Sequence, residues 1–471
     1  MVDSNSDNQD PFSRFFEPRN IAVIGSLKEG GFGGYVVIKS LLEAGYHGNI
    51  FPINPGYPEV LGVKSYPSVK DVLEPIDMAL IMINARHVAA VMEECAQTGI
   101  RAVIVVADGF AERDAAGAKL QDEIVAMGKK QGIRIIGPNT AGIANTQNGL
   151  NPCPYDAGYY RFPKGPVAIC AQSGMINPQA FAYPQMRFGV SKICDFGNKC
   201  DLDEADLLAY LEQDNTTQVI SMYVESIRDG RRFLKMCERV SAQKPILVLK
   251  LGTTAAGAEA SKSHTGSMAV DDAIFDAACA QAGVLRLQEF DELFELPKIF
   301  ASQPLPRGNR FAMVSFTGGV GVVAADQGGR YGLEMTGLSS ETAAALDEIF
   351  PGLGGNPVDL GPMIPMVKDF SLVYSKILKS VLDDGPVDAL FNVLWADAHG
   401  NNTKAYLETY EALKGAAQKP VITWVYGPNP ASILDLSEKV EELGFPVFSS
   451  PEQCVKALGL AAKYAAFRQS R

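Results

Sequence analysis

Residues 21–34 read IAVIGSLKEGGFGG: four apolar residues, Ile21 to Ile24, then Gly25-Ser26 and a turn through Gly30, Gly31, Gly33 and Gly34. A short apolar run closed by glycine and followed by a helical pattern is the opening of a βα unit. The same opening returns twice. Val167 to Cys170 runs into Ala171-Gln172-Ser173-Gly174, and Phe311 to Val314 runs into Ser315-Phe316-Thr317-Gly318-Gly319-Val320-Gly321. Three openings in a chain of 471 residues predict an α/β protein of three doubly wound domains. Residues 151–166 (NPCPYDAGYYRFPKGP) and 302–310 (SQPLPRGNR) are rich in Pro and Gly and carry no helical period. They place the domains over 1–150, 151–302 and 303–471.

Within the first domain the alternation continues. Ile50–Ile53 runs into Asn54-Pro55, and Ala79–Ile83 into Asn84 and a helix from about Arg86 to Thr98. Ala102–Val106 runs into Ala107-Asp108-Gly109-Phe110, and Arg134–Ile136 into Gly137-Pro138-Asn139. Strands separated by helices make a parallel sheet, and ligands bind outside the carboxyl ends of its strands. The candidate cofactor-binding residues are therefore those of the turns: Gly25, Ser26, Lys28 and Gly30; Asn54 and Pro55; Ile83 and Asn84; Ala107, Gly109 and Phe110; and Asn139.

Backbone N–H groups at a helix N-terminus suit a phosphate, and Lys28 is placed to add a charge. A purely structural βα turn accounts for the same glycines equally well. The turns at Ser173-Gly174 and Gly318-Gly319 are phosphate-binding candidates for the same reason. Each such terminus is worth about 0.3–1 kcal/mol to an anion when exposed. A nicotinamide dinucleotide fits less well: the glycine spacing is not G-x-G-x-x-G, and the second strand ends in Asn54 where that site carries an acidic residue.

Composition excludes several classes. Hydrophobic residues make up 47% and charged residues 20%, enough for ordinary cores. The net charge of −12 is the wrong sign for a nucleic-acid binder. No uninterrupted run of 18 apolar residues suggests a membrane span, and the start, MVDSNSDNQDPFSRFF, is polar and acidic, unlike a signal peptide. A reduced, cytoplasmic location is expected. Eight cysteines without C-x-x-C, and no His/Cys cluster, indicate no metal site.

Of four histidines one has unusual surroundings. His264 lies in LGTTAAGAEASKSHTGSMA, residues 251–269, a run of small and hydroxyl residues that buries little surface and reads as an exposed loop. The helix that follows, DDAIFDAACAQAG, is expected to bury Ile274, Ala277 and Ala278. A solvent-exposed loop histidine is the simplest reading. A Ser173–His264 hydrolase lacks the G-x-S-x-G elbow, since Ser173 stands in AQSGM.

Taken together, these segments resemble the NDP-forming acyl-CoA synthetases, relatives of succinyl-CoA synthetase, on the α-subunit side. SKSHTGSMAVDDAIFDAACAQAGVLR is similar to the family's phosphohistidine segment, and MYVESIRDGRRF to the stretch that presents a glutamate to it. EPRNIAVIGSLKEG, YHGNIFPINPGY and IIGPN resemble its CoA-binding domain. GPVAICAQSG and GNKCDLDEADLLAYLEQD resemble the second domain, and SFTGGVGVVAADQ with GGNPVDL the small domain after it. The likeness runs from about Phe15 to residue 465. Thr140 and Ser26 depart from the family's usual residues, and Lys199-Cys200 is unusual in a way that suggests substrate preference.

The resemblance implies a Rossmann-like CoA-binding domain followed by two flavodoxin-like domains. It implies acyl-CoA + phosphate + NDP ⇌ acid + CoA + NTP, where the nucleotide is ADP or GDP, by way of an acyl phosphate and a phosphohistidine. His264 would be the nucleophile, Glu225 the residue that orients and charge-balances its ring, and Ser173, Gly174, Gly318 and Gly319 the phosphate cradle. An imidazole with an ordinary pKa of about 6.5 has a nucleophilic nitrogen available at pH 7. Nucleotide and Mg would bind an ATP-grasp β subunit, in a hetero-oligomer such as α2β2. The chain is expected to need that partner. The rival readings are a non-catalytic CoA-binding regulatory subunit and an NAD(P)-dependent dehydrogenase.

Overall fold

The computed structural model describes residues 11–156, 161–174, 187–257, 259, 271–367 and 369–471. The chain divides into two compact units, Met1–Phe294 and Glu295–Arg471.

The first unit holds two main sheets. In the first, all five strands are parallel, ordered Asn49–Ile53, Asn20–Gly25, Met78–Met82, Ala102–Val105, Arg134–Ile136. The run Ile21–Ile24 shows why the strands are apolar throughout. Ile21 and Val23 enter one core cluster, while Ala22 and Ile24 enter another on the opposite face. A sheet covered on both faces has no polar side to alternate with. All the loops after these strands therefore share one edge, as the order of strands and helices predicts.

The second sheet is ordered Leu285–Leu287, Ile246–Lys250, Val219–Val224, Lys164–Ala171, Val190–Asp195, Ile143–Asn145, parallel except for the last strand. Its apolar residues Ala168, Cys170, Ile220 and Met222 share a cluster with Ile21 and Val23. The polar-looking N-terminus contributes too: Phe12, Phe15 and Phe16 are fully buried, with Phe16 stacked on Tyr210 at 5.1 Å between ring centroids.

One helical face differs from expectation. In the helix Asp272–Ala282 the buried residues are Phe275, Cys279 and Ala282, while Ile274 is 67% exposed. Ile274/Ala277/Ala278 and Phe275/Cys279/Ala282 both have helical spacing, and the aromatic ring, carrying the larger apolar area, goes inward. Arg286 and Lys250 lie over that ring at 4.9 and 5.9 Å. Upstream, residues 255–257 are helical where a loop was expected, with the Thr254 hydroxyl accepting from the Gly257 N–H at 3.1 Å.

The second unit is built on a parallel sheet ordered Glu334–Met335, Arg310–Ser315, Ala389–Trp395, Val421–Tyr426, Val447–Phe448, with Val358–Asp359 also paired to Arg310–Ser315. Residues ahead of the sequence break belong to it. Glu295 accepts from the Ser449 amide and hydroxyl at 3.0 and 2.8 Å, and Lys298 donates to Glu441 at 3.1 Å. No helix among the described residues is long and apolar enough to cross a membrane.

Candidate active site

At the carboxyl edge of the first sheet lies a cavity of about 520 Å³. It brings together Gly25, Ser26, Asn54, Pro55, Ile83 and Asn84 from three adjacent strand ends. Gly25 is required there by close approach: a Cβ on it would sit 2.7 Å from the Met82 carbonyl oxygen. Asn54 donates to the Gly25 carbonyl at 2.7 Å and accepts from the Gly56 N–H at 2.8 Å, so its amide closes the sheet edge. The Ser68 hydroxyl donates to Glu94 at 2.8 Å, and both line the cavity, which sequence reasoning missed.

The other turn residues lie outside this cavity. Lys28 and Gly30 are exposed, and the Gly33 N–H beyond them donates to the Pro154 carbonyl at 3.1 Å. The Gly109 and Phe110 amides both donate to Glu112, at 2.6 and 3.0 Å, and the Phe110 ring is fully buried. A carboxylate thus already occupies two amides of this candidate cofactor-binding turn. The Asn139 N–H donates to the Ala107 carbonyl at 2.9 Å, linking those two turns.

The second sheet gathers another group at its own carboxyl edge. Strands Lys164–Ala171 and Val219–Val224 are parallel neighbours, with Met222 opposite Cys170, so Gln172-Ser173-Gly174 and Glu225-Ser226 emerge side by side. Glu225 is 4% exposed. The Gln172 side-chain oxygen Oε1 accepts from the Glu225 and Ser226 N–H groups at 2.9 and 3.2 Å, and its side-chain Nε2 donates to the Ser226 hydroxyl at 3.2 Å. Tyr223 donates its hydroxyl to the Glu225 carboxylate at 2.7 Å. Burial, reinforced by the Glu225 charge, pushes the Tyr223 phenol well above its ordinary pKa, so it stays a donor.

Lys199, singled out with Cys200 by its neighbours, is a buried brace. Its ammonium donates to the Ser226 carbonyl at 2.6 Å and to Glu204 at 3.1 Å. Cys200 packs in the core of the first sheet, and burial pushes its thiol up to about 12. Thr140 also serves structure: its hydroxyl donates to the Asp195 carbonyl at 2.5 Å and accepts from the Gly142 N–H at 2.9 Å. Ser173 and Gly174 are half-buried, and the Asp195 Oδ2 lies 3.4 Å from where a Gly174 Cβ would stand. His264 lies outside the described residues.

In the second unit Gly318 and Gly319 open the helix Gly318–Arg330. Both are exposed, and no side chain caps the helix end. These are the conditions under which helix amides accept an anion. Asp359 stands beside them, its Oδ2 3.6 Å from a Gly318 Cβ position. Among the described residues no group of three or more His, Cys, Asp or Glu is arranged to hold a metal ion.

Residues 19–146 match a family described as a CoA binding domain, and residues 164–300 one described as a Succinyl-CoA ligase like flavodoxin domain. Two Pyrococcus furiosus proteins, the α subunits of acetate–CoA ligase (ADP-forming) I and II, are 33% and 35% identical to the chain. The alignments cover 96% and 97% of the chain and 97% of each subunit. The chain belongs to the ADP-forming acyl-CoA synthetase family. An ADP-forming acetate–CoA ligase of Archaeoglobus fulgidus is 36% identical over 96% of this chain, which spans 66% of that longer relative. A dinucleotide-forming acetyl-coenzyme A synthetase of Ca. Korarchaeum cryptofilum, solved with phosphate and ADP, superposes with a TM-score of 0.89 at 29% identity, covering 98% of both chains.

Proposed function

We propose that this chain is the CoA-binding, phosphoryl-carrying part of an acid–CoA ligase that interconverts acyl-CoA, phosphate and ADP or GDP with a small carboxylic acid, CoA and ATP or GTP. The observation that carries the reading is Glu225: a buried carboxylate at a strand end, its backbone N–H bonded to the Gln172 side chain of the Gln172-Ser173-Gly174 turn and its carboxylate bonded to the Tyr223 hydroxyl. A carboxylate so fixed is preorganised to receive a ring N–H and a developing positive charge.

Phosphate attacks the thioester carbonyl, giving an acyl phosphate and the CoA thiolate. A nitrogen of His264 then forms a bond to phosphorus as the acyl oxygen–phosphorus bond breaks, and the carboxylate leaves with the electron pair. Glu225 accepts the N–H of the other ring nitrogen and balances the charge of the phosphohistidine. Gln172-Ser173-Gly174 is the turn we assign to phosphoryl oxygens; within the second unit, the open amides at Gly318-Gly319 are a phosphate-binding candidate of their own. The nucleoside end of CoA takes the cavity at Gly25, Asn54 and Ile83, where Glu94 and Ser68 offer hydrogen-bonding groups. Phosphates are kept from Glu94 and Glu112 and lie toward Lys28 and Gly30.

Nucleotide and Mg bind a nucleotide-grasping partner, as the name "subunit alpha" of the Pyrococcus relatives suggests, and the assembly works in the cytoplasm. Relatives include ligases of acetate and of 4-hydroxybutyrate and a trans-feruloyl-CoA synthase, so a screen of small carboxylic acids identifies the acid. Calorimetry of the chain with CoA and with NADH tests the reading. CoA binding with no NADH binding is expected; the reverse would establish a dehydrogenase instead.

A further inference from the structure

We propose that Tyr223 is a positioning residue for the phosphoryl transfer, fixing the carboxylate of Glu225 in the orientation that receives the carrier histidine. This rests on the function proposed above. Tyr223 lies in the strand Val219–Val224 and Glu225 is the first residue past its end, two positions on, the spacing that places side chains on one side of an extended chain. The tyrosine is 5% exposed and the glutamate 4%, and the O–H···O distance is 2.7 Å.

Among the described residues, three neighbours converge on one dipeptide. Gln172 accepts both N–H groups of Glu225-Ser226, Lys199 binds the Ser226 carbonyl, and Tyr223 binds the Glu225 side chain. A buried tyrosine needs a partner for its hydroxyl, and a backbone carbonyl would meet that need. Here the hydroxyl is spent on an acceptor-only carboxylate, where it holds one oxygen and stops rotation of the group. Because that rotation is already frozen, the carboxylate need not be ordered when the N–P bond forms, the acyl O–P bond breaks and the acid departs with the electron pair.

The test uses acetyl [32P]phosphate as phosphoryl donor to the full chain, following acid-labile, base-stable label against donor concentration. Tyr223→Phe is expected to lower the maximal labelling rate about 10-fold, the scale of one hydrogen bond to a charged group, with the half-saturating concentration unchanged. Glu225→Gln lowers the rate by about 10²–10³. The double variant should match Glu225→Gln alone, because the hydroxyl acts only through that carboxylate. Should Tyr223→Phe fold poorly, the double variant removes both ends of the bond and still decides the comparison. Label at the wild-type rate in Tyr223→Phe, or a further 10-fold loss in the double variant, overturns the proposal. Absence of label in the wild-type chain overturns instead the phosphoryl-carrier reading on which it rests.

Discussion

The side-chain amide of Asn54 donates to the carbonyl of Gly25 at 2.7 Å and ties together the ends of two adjacent strands of the first sheet. Residue 54 sits where a dinucleotide site carries an acid for the ribose hydroxyls. In this chain the position needs a donor, because its partner is a carbonyl. Asn54→Asp should therefore set one acceptor against another and weaken the sheet edge by about 1–3 kcal/mol. Denaturant unfolding should show that loss, and calorimetry should show weaker CoA binding with no gain of NADH affinity. Tight NADH binding by the variant would contradict the assignment.

Lys199 and Glu204 are both almost wholly buried, 3.1 Å apart. Removing one partner strands the other charge in the interior. Lys199→Met is expected to cost about 3–5 kcal/mol, and adding Glu204→Leu should return most of it. Equilibrium unfolding of the three proteins measures this. A single-variant cost below about 1 kcal/mol would show that the pair is not a structural brace.

Asp214 gives a pH signature. Burial alone would raise its carboxyl, but hydrogen bonds from Thr217 and Lys192, together with the Lys192 charge at 2.9 Å, hold it below the ordinary carboxylate range. A depressed pKa adds stability above the unfolded value, about 3.9, and that stability is lost as pH falls through the folded value. Asp214→Asn should be less stable than wild type at pH 7 by about 3–5 kcal/mol, since it leaves the buried Lys192 unpaired. As pH falls from 7 to 2, through and below the unfolded value, the wild-type advantage should shrink and narrow the gap. Unfolding midpoints at the two pH values check this, and a gap independent of pH would rule the linkage out.

Much of the fold was readable because both faces of the sheets are covered. Continuous apolar runs such as Ile21–Ile24 and Phe311–Val314, each closed by a glycine turn, mark parallel strands without ambiguity. The helix at Asp272–Ala282 was misread because two faces share the same spacing, and only packing decides between Ile274 and Phe275. The grouping of residues 295–302 with the second unit depends on Glu295 and Lys298 reaching residues more than a hundred positions away, which no local pattern reveals. At the candidate site, the cluster at Gly25, Asn54 and Ile83 follows from strand order. Glu112, which takes the Gly109 and Phe110 amides, does not. The pairing of Tyr223 with Glu225 had a signal, the two-residue spacing within MYVES, but it acquires meaning only once the strand end is known.

His264 is the proposed phosphoryl carrier, and one measurement tests that role most directly. The chain is incubated with acetyl phosphate, digested under alkaline conditions, and the modified peptide is mapped by mass spectrometry. An acid-labile, base-stable phosphate on His264 is the predicted result, absent from His264→Ala while that variant still binds CoA. Phosphate on another residue, or undiminished labelling of His264→Ala, would contradict the mechanism.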